Sequence, residues 1–166
     1  MSDADDLLLV LDPDDAAFAF EDEAGTPSTP SLLGNYSMHI LFIDEDAGDL
    51  ELVTARFNKN PVFKQKGSVF GHEYGMKRLV FYSKADLDLL PHAIIMEAKF
   101  SDGSALDLIR FIKSTKKLKD IPVVIYTGTD DEENKRAVLV AGAMRVIHKV
   151  SGGPEELAVF VATLGP

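Results

Sequence analysis

From Met38 onward, apolar runs of four or five residues alternate with stretches whose apolar positions recur every three or four residues. The first pattern is that of strands buried on both faces, the second that of amphipathic helices. "HILFI" (39–43) predicts a strand ending at Asp44, and Leu50, Val53 and Phe57 predict a helix that has stopped by Pro61. "RLVFY" (78–82) predicts a second strand, followed by a short helix with Leu87 and Leu90. "AIIM" (93–96) predicts a third, followed by a helix with Leu106, Ile109 and Ile112 on one side. "VVIY" (123–126) predicts a fourth, before a helix whose first turn carries Asp130, Asp131, Glu132 and Glu133, at the positive end of its dipole. Gly142 closes that helix, "RVIH" (145–148) predicts a fifth strand, and Pro154 opens a last helix through Leu157, Phe160 and Val161. Five strands alternating with five helices imply an α/β fold, a doubly wound parallel sheet covered on both faces.

Two stretches fall outside this alternation. "PVFKQKGSVFGHEYGMK" (61–77) is too long for a helix-to-strand turn and holds three glycines and several aromatics, so it reads as an insertion. His72 and Glu73 within it are adjacent, a poor spacing for metal ligands. Residues 1–37 mix acids with "LLLVL" and "AFAF" and end through "GTPSTPS", which reads as an acidic tail and linker ahead of one domain, 38–166.

Charge sharpens this division. Residues 1–37 hold nine carboxylates and no Lys or Arg, leaving 18 acids against 17 bases in the rest. The net charge of -10 therefore belongs to the tail, and the nearly neutral body has no basic stripe, which argues against direct nucleic-acid binding. The chain has no cysteine, which excludes disulfides and thiolate chemistry and agrees with a reducing compartment. No apolar run approaches the ~18 residues that span a bilayer, and the first residues are acidic where a signal peptide is basic. A cytoplasmic protein without a membrane partner is the expectation.

In doubly wound sheets the site lies beyond the carboxyl ends of the strands. Collected there are Asp44, Glu45 and Asp46, then Glu97, then Thr127 and Gly128, then Lys149. Carboxylates on adjacent strands form an oxygen-rich cup suited to Mg²⁺. A hydroxyl and an ammonium on its far side can hold phosphoryl oxygens.

The pattern resembles the receiver domain of two-component response regulators, over about residues 38–164. The matching text is "ILFIDED", "PHAIIMEAKFSDGSALDLI", "IPVVIYTG" and "AGAMRVIHKV". The resemblance implies a CheY-like, flavodoxin-like sheet in order 2-1-3-4-5. It puts Asp44, Glu45, Glu97 and the main-chain carbonyl of Lys99 at the metal positions, and Thr127 and Lys149 at the phosphoryl contacts. Gly128 takes the small position that leaves access, and Val146 the switch position.

Several residues depart from the family's pattern. The acceptor in these domains is an aspartate, and here the position is held by Glu97, whose extra methylene moves the carboxylate by roughly 1.5 Å. In-line phosphoryl transfer is sensitive to displacements of that size. Val146 stands where the family has Tyr or Phe, Val150 and Ser101 where it has proline, and Lys99 brings an ammonium close to the metal position. Val150 implies a trans bond after Lys149, because a cis bond before a residue other than proline costs ~3 kcal/mol.

The expectation is a phosphorelay signal-transduction module acting through protein contacts, with phosphorylation absent or vestigial and Mg²⁺ weak or absent. No organic cofactor and no enzyme activity beyond self-phosphorylation and dephosphorylation are expected. Its partners would be a histidine kinase or another signalling protein. The resemblance puts the output face, and any homodimer, on the fourth helix, fifth strand and last helix, with Val138, Leu139, Val140 and Val146 as candidates. The alternative is a working Mg²⁺-dependent phosphoacceptor.

Overall fold

The computed structural model describes residues 37–165, so the tail reading lies almost entirely outside the described residues. The compact unit begins at Met38, where the sequence pattern changes. Its strands are β1 (Met38–Asp44), β2 (Phe63–Phe70), β3 (Ala93–Met96), β4 (Val123–Thr127) and β5 (Arg145–His148). Its helices are α1 (Ala47–Phe57), α2 (His72–Ser83), α3 (Ala105–Ser114), α4 (Glu132–Ala141) and α5 (Gly153–Ala162). A two-residue ribbon, Lys99–Phe100 against Gly103–Ser104, stands apart from this numbering.

All pairings in the five-stranded sheet are parallel, and the order is 2-1-3-4-5. This is the α/β, flavodoxin-like arrangement expected from the sequence, with the order reversing between β1 and β3. Helices α1 and α5 pack together, as do α2 with α3 and α3 with α4. Leu41, Ile43, Ile94, Met96, Val123 and Ile125 are buried with α2, α3 and α4 in one core cluster. Phe42, Phe57 and Phe63 pack together elsewhere in the interior, with Phe42 and Phe57 edge to face at 5.1 Å. Such a pair contributes about 0.5–1.5 kcal/mol beyond its buried area.

The second strand is not 78–82, and 61–77 is not an insertion. Residues 63–70 form β2, and "RLVFY" lies inside α2. The reason is burial: β2 is an edge strand in which only Phe63 and Val69 are buried, so it carries little apolar signal. Within α2, Gly75, Leu79 and Tyr82 face the core at helical spacing, while Val80 and Phe81 remain exposed. Gly75 lets α2 lie close on the sheet, since a Cβ there would come within 2.8 Å of Ile43 Cγ2. The short helix after it is a single 3-10 turn, Leu87–Leu89. Gly142 ends α4 at φ +130°, and its N–H donates to the Val138 and Leu139 carbonyls. No cis peptide bond occurs among the described residues, so the bond before Val150 is trans.

Candidate functional site

Asp44 ends β1, Glu97 follows β3, Thr127 ends β4 and Lys149 follows β5. Parallel pairing at this common end gathers the four. Lys149 Nζ donates to Asp44 Oδ2 at 2.8 Å and to Asp49 Oδ2 at 2.8 Å, and lies 3.0 Å from Glu97 Oε1. Its three N–H groups thus have three carboxylate partners. The other Glu97 oxygen, Oε2, accepts from the Thr127 hydroxyl and from the Ala98 N–H at 2.6 Å. Thr127 Oγ1 in turn accepts from the Thr129 N–H at 3.1 Å. Asp44 and Thr127 are the buried polar residues of the described domain.

Burial opposes the Lys149 charge, but the carboxylates of Asp44, Asp49 and Glu97 outweigh it and hold the ammonium above the usual lysine range. The neighbouring Tyr126 phenol is pushed up to about 12 by burial, against a smaller opposing pull from Lys149. Gly128 is exposed, and a Cβ there would meet only Lys149 Cδ, at 3.9 Å.

Asp49 was not singled out in the sequence. It lies in the first turn of α1, where the Asp46 carboxylate caps the helix by accepting from the Asp49 N–H at 3.0 Å. An acid at that place reads as favourable to a helix N-terminus, and nothing in its spacing announces a lysine one hundred residues away.

The other expected site residues are held differently. Glu45 is exposed, and its Oε1 accepts from the Ser101 N–H at 2.8 Å and hydroxyl at 3.0 Å. Lys99 pairs with Ser104 in the ribbon, and its ammonium reaches Asp131 Oδ2 at 2.9 Å on the α4 side. That contact and the Asn134 N–H hold the Asp131 carboxyl below its ordinary value. Asp131 also caps α4. Val146 is half-buried and, with Thr127, Val138 and His148, lines a cavity of about 40 Å³.

The loop after Glu97 is clamped at its far end too. Asp102 accepts from the His72 N–H at 3.1 Å and the Glu73 N–H at 3.2 Å, and so caps α2 from a distance. Gly71 at the start of α2 has φ +95° and offers no side-chain cap of its own. His72 Nε2 lies 3.2 Å from Asp107 Oδ2. The segment 97–104 is thereby tied to the end of β1 through Glu45 and to α2 through Asp102.

No family model matches the sequence, and no curated protein matches it either. Solved structures do. One is a protein of Chloroflexus aurantiacus J-10-fl described as a response regulator, 20% identical, TM-score 0.65, covering 77% of this chain and 97% of that one. Another is the receiver domain of a signal transduction histidine kinase from Syntrophus aciditrophicus, 23% identical, TM-score 0.63, covering 77% and 89%. A third is the Mn²⁺-bound form of the response regulator Rcp1, 18% identical, TM-score 0.61, covering 76% and 91%. The described domain therefore has the fold of CheY-like response-regulator receiver domains. Among the described residues, no helix is long and apolar enough to cross a membrane.

Proposed function

We propose that this chain is a receiver-like signalling module of a two-component or phosphorelay system, acting through protein contacts without phosphorylation. The observation that carries the proposal is the engagement of both Glu97 oxygens, one by Lys149 and the other by Thr127 and the Ala98 N–H. A phosphoryl group on an acceptor would offer oxygens to that same hydroxyl and ammonium. Glu97 supplies carboxylate oxygens to them permanently, so the site is held in one state.

The output face is then α4, β5 and α5, where Leu139, Val140, Met144 and Val159 are exposed. Val138, fully buried, serves the core instead. The partners would be a histidine kinase, another signalling protein or a second copy, in the cytoplasm. No nucleic acid, membrane or enzymatic turnover belongs to this reading.

The test is intact mass after incubation with Mg²⁺ and a small-molecule phosphodonor, with Glu97→Asp alongside. The expected result is a phosphoryl mass on Glu97→Asp only. Gain of that mass by the wild-type chain establishes the alternative, a working Mg²⁺-dependent acceptor. Gain by neither means that the pocket around position 97 cannot support the transfer at all.

A further inference from the structure

The receiver fold implies a divalent cation at the carboxyl ends of β1 and β3. The acids here do not fit one as they stand. Asp44 Oδ1 accepts from the Asp46 N–H at 3.0 Å, and Asp44 Oδ2 accepts from Lys149. Glu45 is turned to Ser101, and both oxygens of Glu97 are engaged. Among the described residues no group of three or more His, Asp or Glu side chains is arranged to hold a metal ion. The point on which Asp44, Asp49 and Glu97 converge is filled by the Lys149 nitrogen.

We infer that the Lys149 ammonium, pinned by Asp49, takes the electrostatic place of the divalent cation, so that this chain assembles its site without metal. Deepening the fixed-state reading, the inference rests on it only for the role of the site. An ammonium hydrogen-bonds carboxylate oxygens at about 2.8 Å, whereas Mg²⁺ needs oxygens at about 2.1 Å in near-octahedral geometry. A divalent cation would have to draw these same oxygens to its own shorter spacing and so compete for them with an ammonium whose side chain is only 12% exposed. Asp49 supplies the third acceptor, bringing α1 into the cluster and leaving the ammonium no free donor with which to yield. The Tyr126 ring centroid lies 5.6 Å from Nζ, a further favourable contact for the ammonium.

The experiment is a Mn²⁺ titration followed by electron paramagnetic resonance of the free ion, with thermal unfolding recorded in parallel. The wild-type chain is expected to show no saturable binding and no Mn²⁺-dependent rise in Tm. Lys149→Met leaves three converging carboxylates uncompensated, and is expected to bind Mn²⁺ at least about tenfold more tightly than wild type and to be stabilised by it. Saturable wild-type binding overturns the inference, as does a folded Lys149→Met that gains none.

Should Lys149→Met fail to fold, ¹⁵N spectra of the wild-type lysine ammonium groups decide. A protected Lys149 signal, assigned by its loss in Lys149→Arg, is expected to stay unshifted as MgCl₂ is added. A saturable shift, or no protected signal, overturns the inference. A phosphoryl mass on wild type would defeat the fixed-state reading while leaving these metal titrations to decide the present one.

Discussion

Glu97 Oε1 lies 3.0 Å from Lys149 Nζ, although the strands that carry them, β3 and β5, are separated by β4. The bond spans the fourth strand at its carboxyl end, where Thr127 donates to the other Glu97 oxygen. One side chain thus joins three strands, and its removal is felt at each.

Glu97→Ala should lower stability by about 1–3 kcal/mol, the usual cost of leaving partly buried donors without an acceptor. Lys149 keeps Asp44 and Asp49, which limits the loss. Glu97→Gln retains one acceptor oxygen and should lose less. Urea midpoints of the three proteins measure the series, and equal midpoints would show that the Glu97 contacts contribute nothing.

The site also sets a response to alkali. The Lys149 pKa is raised in the folded state, so its contribution is fully present below the ordinary lysine value of 10.5 and is lost as pH rises through the higher folded value. Tyr126 acts in the same direction, its contribution falling between its ordinary 10.0 and about 12. The stability difference between wild type and Lys149→Met should be level from neutral pH to about 10 and shrink beyond it. Unfolding curves at stepped alkaline pH read this, and a difference already falling near pH 8 would contradict it.

The clamp between the loop after Glu97 and α2 has a steric counterpart. A Cβ on Gly103 would stand 2.5 Å from the His72 ring, which Phe100 borders edge to face at 6.1 Å. Gly103→Ala should therefore cost about 1–3 kcal/mol, the range for overpacking. Hydrogen exchange would show the loss at the start of α2, through the Asp102 cap. A loss confined to the loop would separate the two elements.

Much of this architecture is legible in the residues themselves. Central strands β1, β3 and β4 are marked by short apolar runs, because burial on both faces demands them, while β5, at the other edge, is marked by a weaker run in which only Ile147 is buried. Glu97, Thr127 and Lys149 are legible because each directly follows or ends such a run. The edge strand β2 was missed for the same physical reason: with one neighbour and two buried side chains, "FKQKGSVF" carries lysines that suit an edge and conceal a strand. "RLVFY" misleads because its four consecutive apolar residues fit a helix as well as a strand, and here two of them face solvent.

The sequence by itself determined the α/β class, the sheet order through a family resemblance, and the set of acids, hydroxyl and ammonium at the strand ends. The class and the strand-end set follow from periodicity and from residue type, which are local. Only the tertiary structure decided that Asp49 joins Asp44 and Glu97 around Lys149, that Glu45 turns to Ser101, that Lys99 reaches Asp131, and that Asp102 caps α2. Each of these is a choice of partner for a charged side chain, and it depends on which other elements the fold brings within about 3 Å.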